Sequence, residues 1–298
     1  MHVRRPSDLT SFRRLLVLAA IFLACSVPLA AESPSLGIQE GTLALKAEGG
    51  RSLDRALDDV HARRAKALLL DAATTDLLFP VLGKIPGWQS DVMLINYRPV
   101  AQVLHIFFMA QGQNNASATP YTYTLPANRM VYWHDFFGTG LGISNGLGSI
   151  MILAVNASGS ADSQALIDGS ARLFQTDAAG GTLAQMFPSV PVHDVPAGTG
   201  ATAVGLRSDA HFRTNAGVVN FDSVARTFTV SIVAASVSSF TIDVPPYSMM
   251  QVRIPNDGSY GDIALQFTSN ATNFWSAYGA SVDNISGDSW SAHVALQF

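Results

Sequence analysis

Cysteine is almost missing: the chain has one, Cys25, in 298 residues. It falls inside a segment read below as cleaved on export, so the mature chain would carry none. That excludes disulfides, thiolate metal sites, cysteine nucleophiles and C-x-x-C redox chemistry. Charge is scarce as well, at 13% of residues against about 25% in an average soluble domain. No glutamate follows Glu48. Beyond that point a glycosidase pair of carboxylates would have to be two aspartates, which could come from distant strands. The aspartates mostly occupy turn-like settings instead. There is no HxH or HExxH pair among the histidines. An alternating single histidine such as His105 reads as a bonded sheet residue rather than a metal ligand.

What is present at the N-terminus is an export pattern. Arg4, Arg5, Arg13 and Arg14 precede an uncharged apolar run over 15–31, broken by Pro28 and ending in Ala30 and Ala31 before Glu32. Positive, apolar, then small is the layout of a cleaved signal peptide, here 1–31. The run is also shorter than the ~20 residues of a membrane span. Cleavage would place the protein in the periplasm, at the cell surface or outside the cell. It would leave 14 basic and 21 acidic side chains, because four Arg and Asp8 go with the signal. A net charge of about −7 without a basic stripe excludes nucleic acid as a partner. The remaining length, about 265 residues, buries a core without cross-links.

Residues 32–71 form an N-terminal zone, with a strand expected at 42–46 and an amphipathic helix at 52–67. Leu53, Ala56, Leu57, Val60, Ala65 and Leu68 recur near helical spacing, and Ser52 is the N-cap candidate. From Phe79 the period changes to two. Val92 and Leu94, Val103, His105 and Phe107, and later Phe228, Val230 and Ile232 alternate with their neighbours. Many short alternating runs separated by Gly, Pro, Asn and Asp predict an all-β antiparallel sandwich.

The runs repeat. The decad 88–97 matches 212–221 in kind at each position, from an initial aromatic to Asn96 or Asn220 and a final aromatic. Val103-Leu104-His105-Ile106 follows as Thr227-Phe228-Thr229-Val230, and Leu125-Pro126 as Val244-Pro245. Residues 148–152 align with 261–265. Two tandem similar lobes are expected, 72–160 and 166–298, joined by the small-residue stretch 156–163. Within them, Val92 and Leu94 should face inward together, as should Ala216 and Val218.

Three segments carry a family resemblance. Residues 181–188 (GTLAQMFP) resemble a GTFGQF-P motif, with Leu183 and Ala184 departing from it. Residues 211–220 (HFRTNAGVVN) resemble an FRTN-GLVN motif, and 278–288 (YGASVDNISGD) a Y-SVVDN-TGD motif. Together they are similar to a group of uncharacterised exported bacterial β-sandwich proteins and modules. The resemblance implies a sandwich fold and an exported location, and carries over no catalytic residue.

The remaining candidates are few. Gly142-Ile143-Ser144-Asn145-Gly146 spells G-x-S-x-G, but a nucleophile elbow needs a strand before the serine and a helix after it. The glycine-rich surroundings predict a loop. Calcium candidates are the turns holding Asp257 and Asp262 and those holding Asp283, Asn284 and Asp288, which are also ordinary turn residues. Tyr132, Trp133, Trp275 and Tyr278 are candidates for an aromatic ligand face, against the alternative of core packing. The expected role is binding or assembly at a surface, toward a polysaccharide, another envelope protein or a second copy. The alternative is an exported hydrolase whose site the sequence does not reveal.

Overall fold

The computed structural model describes residues 37–40, 46–47, 52–57 and 75–296, except 193 and 235. The expected signal peptide lies outside the described residues. So do 41–45, which hold most of the expected first strand, and the helix beyond residue 57. What is described there is β1 (Gly37–Glu40), β2 (Lys46–Ala47) and helical residues 53–57. Ser52 opens the helix with its carbonyl, which accepts from Ala56 N at 3.0 Å. Its hydroxyl donates to Asp54 instead of capping a backbone N–H.

The body is all-β, two tandem antiparallel sandwiches. The first contains β3 (Asp76–Lys84), β4 (Gln89–Asn96), β5 (Gln102–Ala110), β6 (Tyr121–Leu125), β7 (Arg129–Trp133), β8 (Gly146–Val155), β9 (Ile167–Thr176) and β10 (Thr182–Pro188). The second contains β11 (Ala201–Ser208), β12 (Phe212–Asn220), β13 (Arg226–Val233), β14 (Val237–Val244), β15 (Ser248–Arg253), β16 (Gly261–Ser269), β17 (Trp275–Asp283) and β18 (Ser289–His293). In the first lobe the sheet β7-β4-β9-β10 faces β6-β5-β8-β3. In the second, β15-β12-β17-β18 faces β14-β13-β16-β11. Strand for strand the two orders are the same. Each lobe also has additions. β1 adds parallel to β7 and β2 antiparallel to β6, while β19 (Ala295–Leu296) adds to β11.

The duplication extends to single atoms. Asn96 and Asn220 are fully buried at the ends of β4 and β12. Asn96 Nδ2 donates to the carbonyls of Val100 and Pro126, with a longer contact to Leu125 O. Asn220 Nδ2 donates to Val224, Val244 and Pro245. Each Oδ1 accepts the N–H two residues on, from Arg98 or Asp222. One amide thus closes its own turn and pins the end of the facing sheet. β3 and β11 share an irregularity, between Phe79 and Leu82 and between Ala203 and Leu206. At the far end Ser90 Oγ donates to Gly83 O, and Thr214 Oγ1 to Arg207 O, the same bridge between sheets.

Two expectations are corrected. β9 and β10 follow the 156–163 stretch, yet β9 pairs with β4 and β10 with β9. The first lobe therefore runs to Pro188, and the passage to the second lobe lies in 189–200. The alignment of 148–152 with 261–265 is also displaced by two residues. Lys84 pairs with Gly146 and Ser208 with Gly261, so Gly146 is the equivalent of Gly261. A two-residue slide leaves every side chain on its own face, so alternation alone does not detect it.

Among the described residues, three cores hold this together. Val92, Leu94, Ile106 and Trp133 lie in the first lobe, and Ala216, Val218, Phe228 and Trp275 in the second. A third core joins the lobes. Phe107, Met109, Met151 and Leu153 from β5 and β8 pack with Val219, Phe221, Met249 and Tyr278, under Leu53 and Leu57 of the helix. Asn115 staples the same junction. Its Nδ2 donates to Ala110 O, Gln113 O and, across the lobes, Tyr247 O at 2.9 Å.

Candidate functional site

A cluster of bonded polar side chains stands on the outer face of β4, β7 and β9. Alternation turns Val92 and Leu94 into the core and Asp91 to the other face. Asp91 nevertheless keeps only 2% of its surface, because neighbours close over it. Tyr132 Oη donates to its Oδ2 at 2.6 Å and Arg172 Nε at 2.8 Å. Asp135 N donates to Oδ1 at 2.9 Å. His134 packs edge-on against Tyr132, 4.2 Å between ring centres, and leaves its ring largely exposed. The Arg172 guanidinium lies 4.3 Å over the Phe174 ring. Burial works against the Arg172 charge, but bonding to Asp91 outweighs it and raises the group above its ordinary value. Burial and then Asp91 raise the Tyr132 phenol. With both carboxylate oxygens engaged, this cluster ties three strands to the turn at Asp135.

Beside it runs a groove of about 500 Å³ at the β3–β4 hairpin, lined by Lys84, Pro86, Trp88, Ser144, Asn145 and Phe174. The second lobe has a groove of about 480 Å³ at the equivalent β11–β12 hairpin. There Trp290 of β18 stands edge-on to Phe212 at 5.5 Å, and Arg207 covers the other ring at 4.9 Å. Trp290 Nε1 donates to Gly205 O, at 2.8 Å, where Gly205 takes a φ of +77°. Arg207 is held charged chiefly by its bond to Asp209, and that bond lowers the Asp209 carboxyl in turn. In the sequence Trp290 carries no functional signal beyond an indole between two serines.

Ser144 sits in the reverse of an elbow. A π-helical turn (Phe136–Leu141) comes before it and β8 comes after. Asp135, at φ 49°, caps that turn by accepting from Gly138 N at 3.2 Å and pairs with Lys84.

The expected aromatic face is overturned for three of its four members. Trp133 and Trp275 are fully buried, and Tyr278 retains 1% of its surface. Trp133 meets Tyr123 and Phe136, Trp275 meets Phe228, and Tyr278 meets Phe187. Trp133 and Trp275 occupy inward strand positions of their own sandwiches, while alternation turns Tyr278 to the opposite face of β17, into the core between the lobes. Only Tyr132 remains partly exposed.

Among the calcium candidates, Asp283, Asn284, Asp288 and Asp257 bond oxygens to the protein. Asp283 accepts from Ile285 N and Ser286 Oγ, both at 2.8 Å, and these bonds lower its carboxyl. Asn284 Oδ1 accepts from Arg213, and Asp288 Oδ1 from Ser289 N. Asp257 is buried between Ser208, Thr214 N and Arg253. Asp262 lies in the second groove near Arg207. Among the described residues no three His, Cys, Asp or Glu side chains converge as a metal set would. No family model matches the chain, and no curated protein matches it in sequence.

Proposed function

We propose that this is an exported, non-enzymatic β-sandwich protein that works by binding or assembly at a cell surface or outside the cell. The signal-like N-terminus and the three segments resembling exported bacterial sandwich modules support the address. One observation carries the role: a strand from outside the repeated unit completes a sheet edge of the first lobe, where β2 pairs with β6. The unit is therefore built to accept added strands, and backbone pairing along an edge is a general mode of protein association.

The test is retention. Chain recovered after export should begin at residue 31 or 32 by intact mass. It should bind saturably to envelope fractions without turning over ester, amide or glycoside substrates. Ser144→Ala should change neither the binding nor the thermal unfolding, since the serine lies in an exposed loop. A hydrolytic activity that Ser144→Ala or Asp91→Asn abolishes in folded protein would refute the proposal.

A further inference from the structure

Comparing the two lobes exposes a difference at the edge formed by β6 in the first and β14 in the second. In the first lobe β2 covers the edge strand β6, Lys46 opposite Thr122 and Ala47 opposite Tyr121. The equivalent strand of the second lobe is β14, with Phe240 and Thr241 in the places of Tyr121 and Thr122. That correspondence follows from the shared pairing of Leu125 with Gln102 and of Val244 with Arg226. Among the described residues no strand pairs with the outer side of β14. β1 and β2 are both committed to the first lobe.

β14 also lacks the usual protections of an edge. It pairs with β13 through eight consecutive residues without a bulge. It contains no lysine, arginine or proline, and its one charge is Asp243, bonded to Thr227 Oγ1. Natural edges are ordinarily blunted by such residues or by bulges, because a regular bare edge templates another strand.

We infer that β14 pairs antiparallel with β14 of a second copy, Thr241 opposite Thr241, so that two sheets join across a twofold axis. This rests on the binding or assembly reading and names its partner. A twofold pairing fills both vacant edges with one contact, since the same patch serves both copies. The register follows from faces. Phe240, Ile242 and Val244 point toward the core side, while Ser239, Thr241 and Asp243 are exposed. Both faces match across the pair only if like positions oppose, which puts the axis on a residue. Centred on Thr241, the pairing sets Asp243 against the Ser239 hydroxyl of the other copy. The two Asp243 carboxylates then stand four strand positions apart, about 13 Å, beyond the reach of unscreened repulsion in physiological salt. Centred on Phe240, the pairing would set Asp243 against Val237.

Sedimentation of the exported chain should give the mass of a dimer. Thr241→Lys should shift it to a monomer that keeps the wild-type β-sheet circular dichroism and still unfolds cooperatively, because Thr241 is exposed and two lysines would face each other. A second measurement covers misfolding of that variant. In a Cys25→Ser background, Thr241→Cys should form a disulfide-linked dimer under mild oxidation. Directly opposed antiparallel residues lie ~4.5–5.5 Å apart at Cα, within disulfide range. Ala178→Cys, in an exposed loop, should not cross-link. A monomeric wild-type chain overturns the inference, as does a dimer that survives Thr241→Lys or fails to cross-link at Thr241→Cys. Envelope retention that persists in a monomeric chain would leave the broader binding reading standing while self-pairing falls.

Discussion

Asn220→Ala should remove about 3–4 kcal/mol of unfolding free energy, and Asn96→Ala a similar amount, by urea denaturation. Both side chains are fully buried. Asn220 donates to three carbonyls, Val224, Val244 and Pro245, at 3.0–3.1 Å, and accepts from Asp222 N at 2.9 Å. Alanine removes all four contacts and supplies no replacement. An acceptor left buried without a donor costs ~1–3 kcal/mol, so two such losses already reach the expected range. Asn220→Asp should be no milder, since it keeps the shape but turns an oxygen toward three oxygens. Asn96 works at the same corner of the first lobe, though its contact with Leu125 O is long at 3.5 Å. A loss below about 1 kcal/mol in both variants would show that water or a local shift replaces the amide.

Gly217→Ala should be equally damaging for the opposite reason, overcrowding. Gly217 lies opposite Tyr278 in β17 and Gln251 in β15. The Tyr278 ring folds over it, so an added Cβ would fall 2.1 Å from Cε1 and Cζ and 2.5 Å from the hydroxyl. The ring has no free path aside. It is 1% exposed, sits in the core between the lobes against Phe187, and donates to Gln251 Oε1 at 2.7 Å. Burial also raises the phenol well above its ordinary value, so it remains a donor at any ordinary pH. Overpacking costs ~1–3 kcal/mol, and displacing this ring from the lobe junction should reach the upper end. Tyr278→Ala is damaging by itself. Added to Gly217→Ala it should cost less than it does alone, with a coupling of about 1–3 kcal/mol in the double-mutant cycle. Strict additivity would show that the ring does not depend on the glycine.

The local rules of this fold were legible in the residues. Period-two alternation put Val92 and Leu94, and Ala216 and Val218, on inward faces. The matched decads placed Asn96 and Asn220 at equivalent turns, because each closes its own turn onto the N–H two residues on; that the same amides also hold Pro126 and Pro245 of the facing sheet is non-local. What tertiary structure alone decided is non-local. Alternation says that Trp133, Trp275 and Tyr278 share faces with apolar neighbours, but not that another sheet covers those faces. The two-residue slide between 146 and 148 preserves every face and leaves no mark on the pattern. β9 belongs to the first lobe because β4 has an edge to offer it, a fact about a strand more than 70 residues away in sequence, and β10 follows by pairing with β9. The edge of β14, unpaired among the described residues, is of the same kind. A strand spells its own side chains, but whether its outer N–H and C=O groups find a partner depends on which other segment folds beside it, as β2 does beside β6.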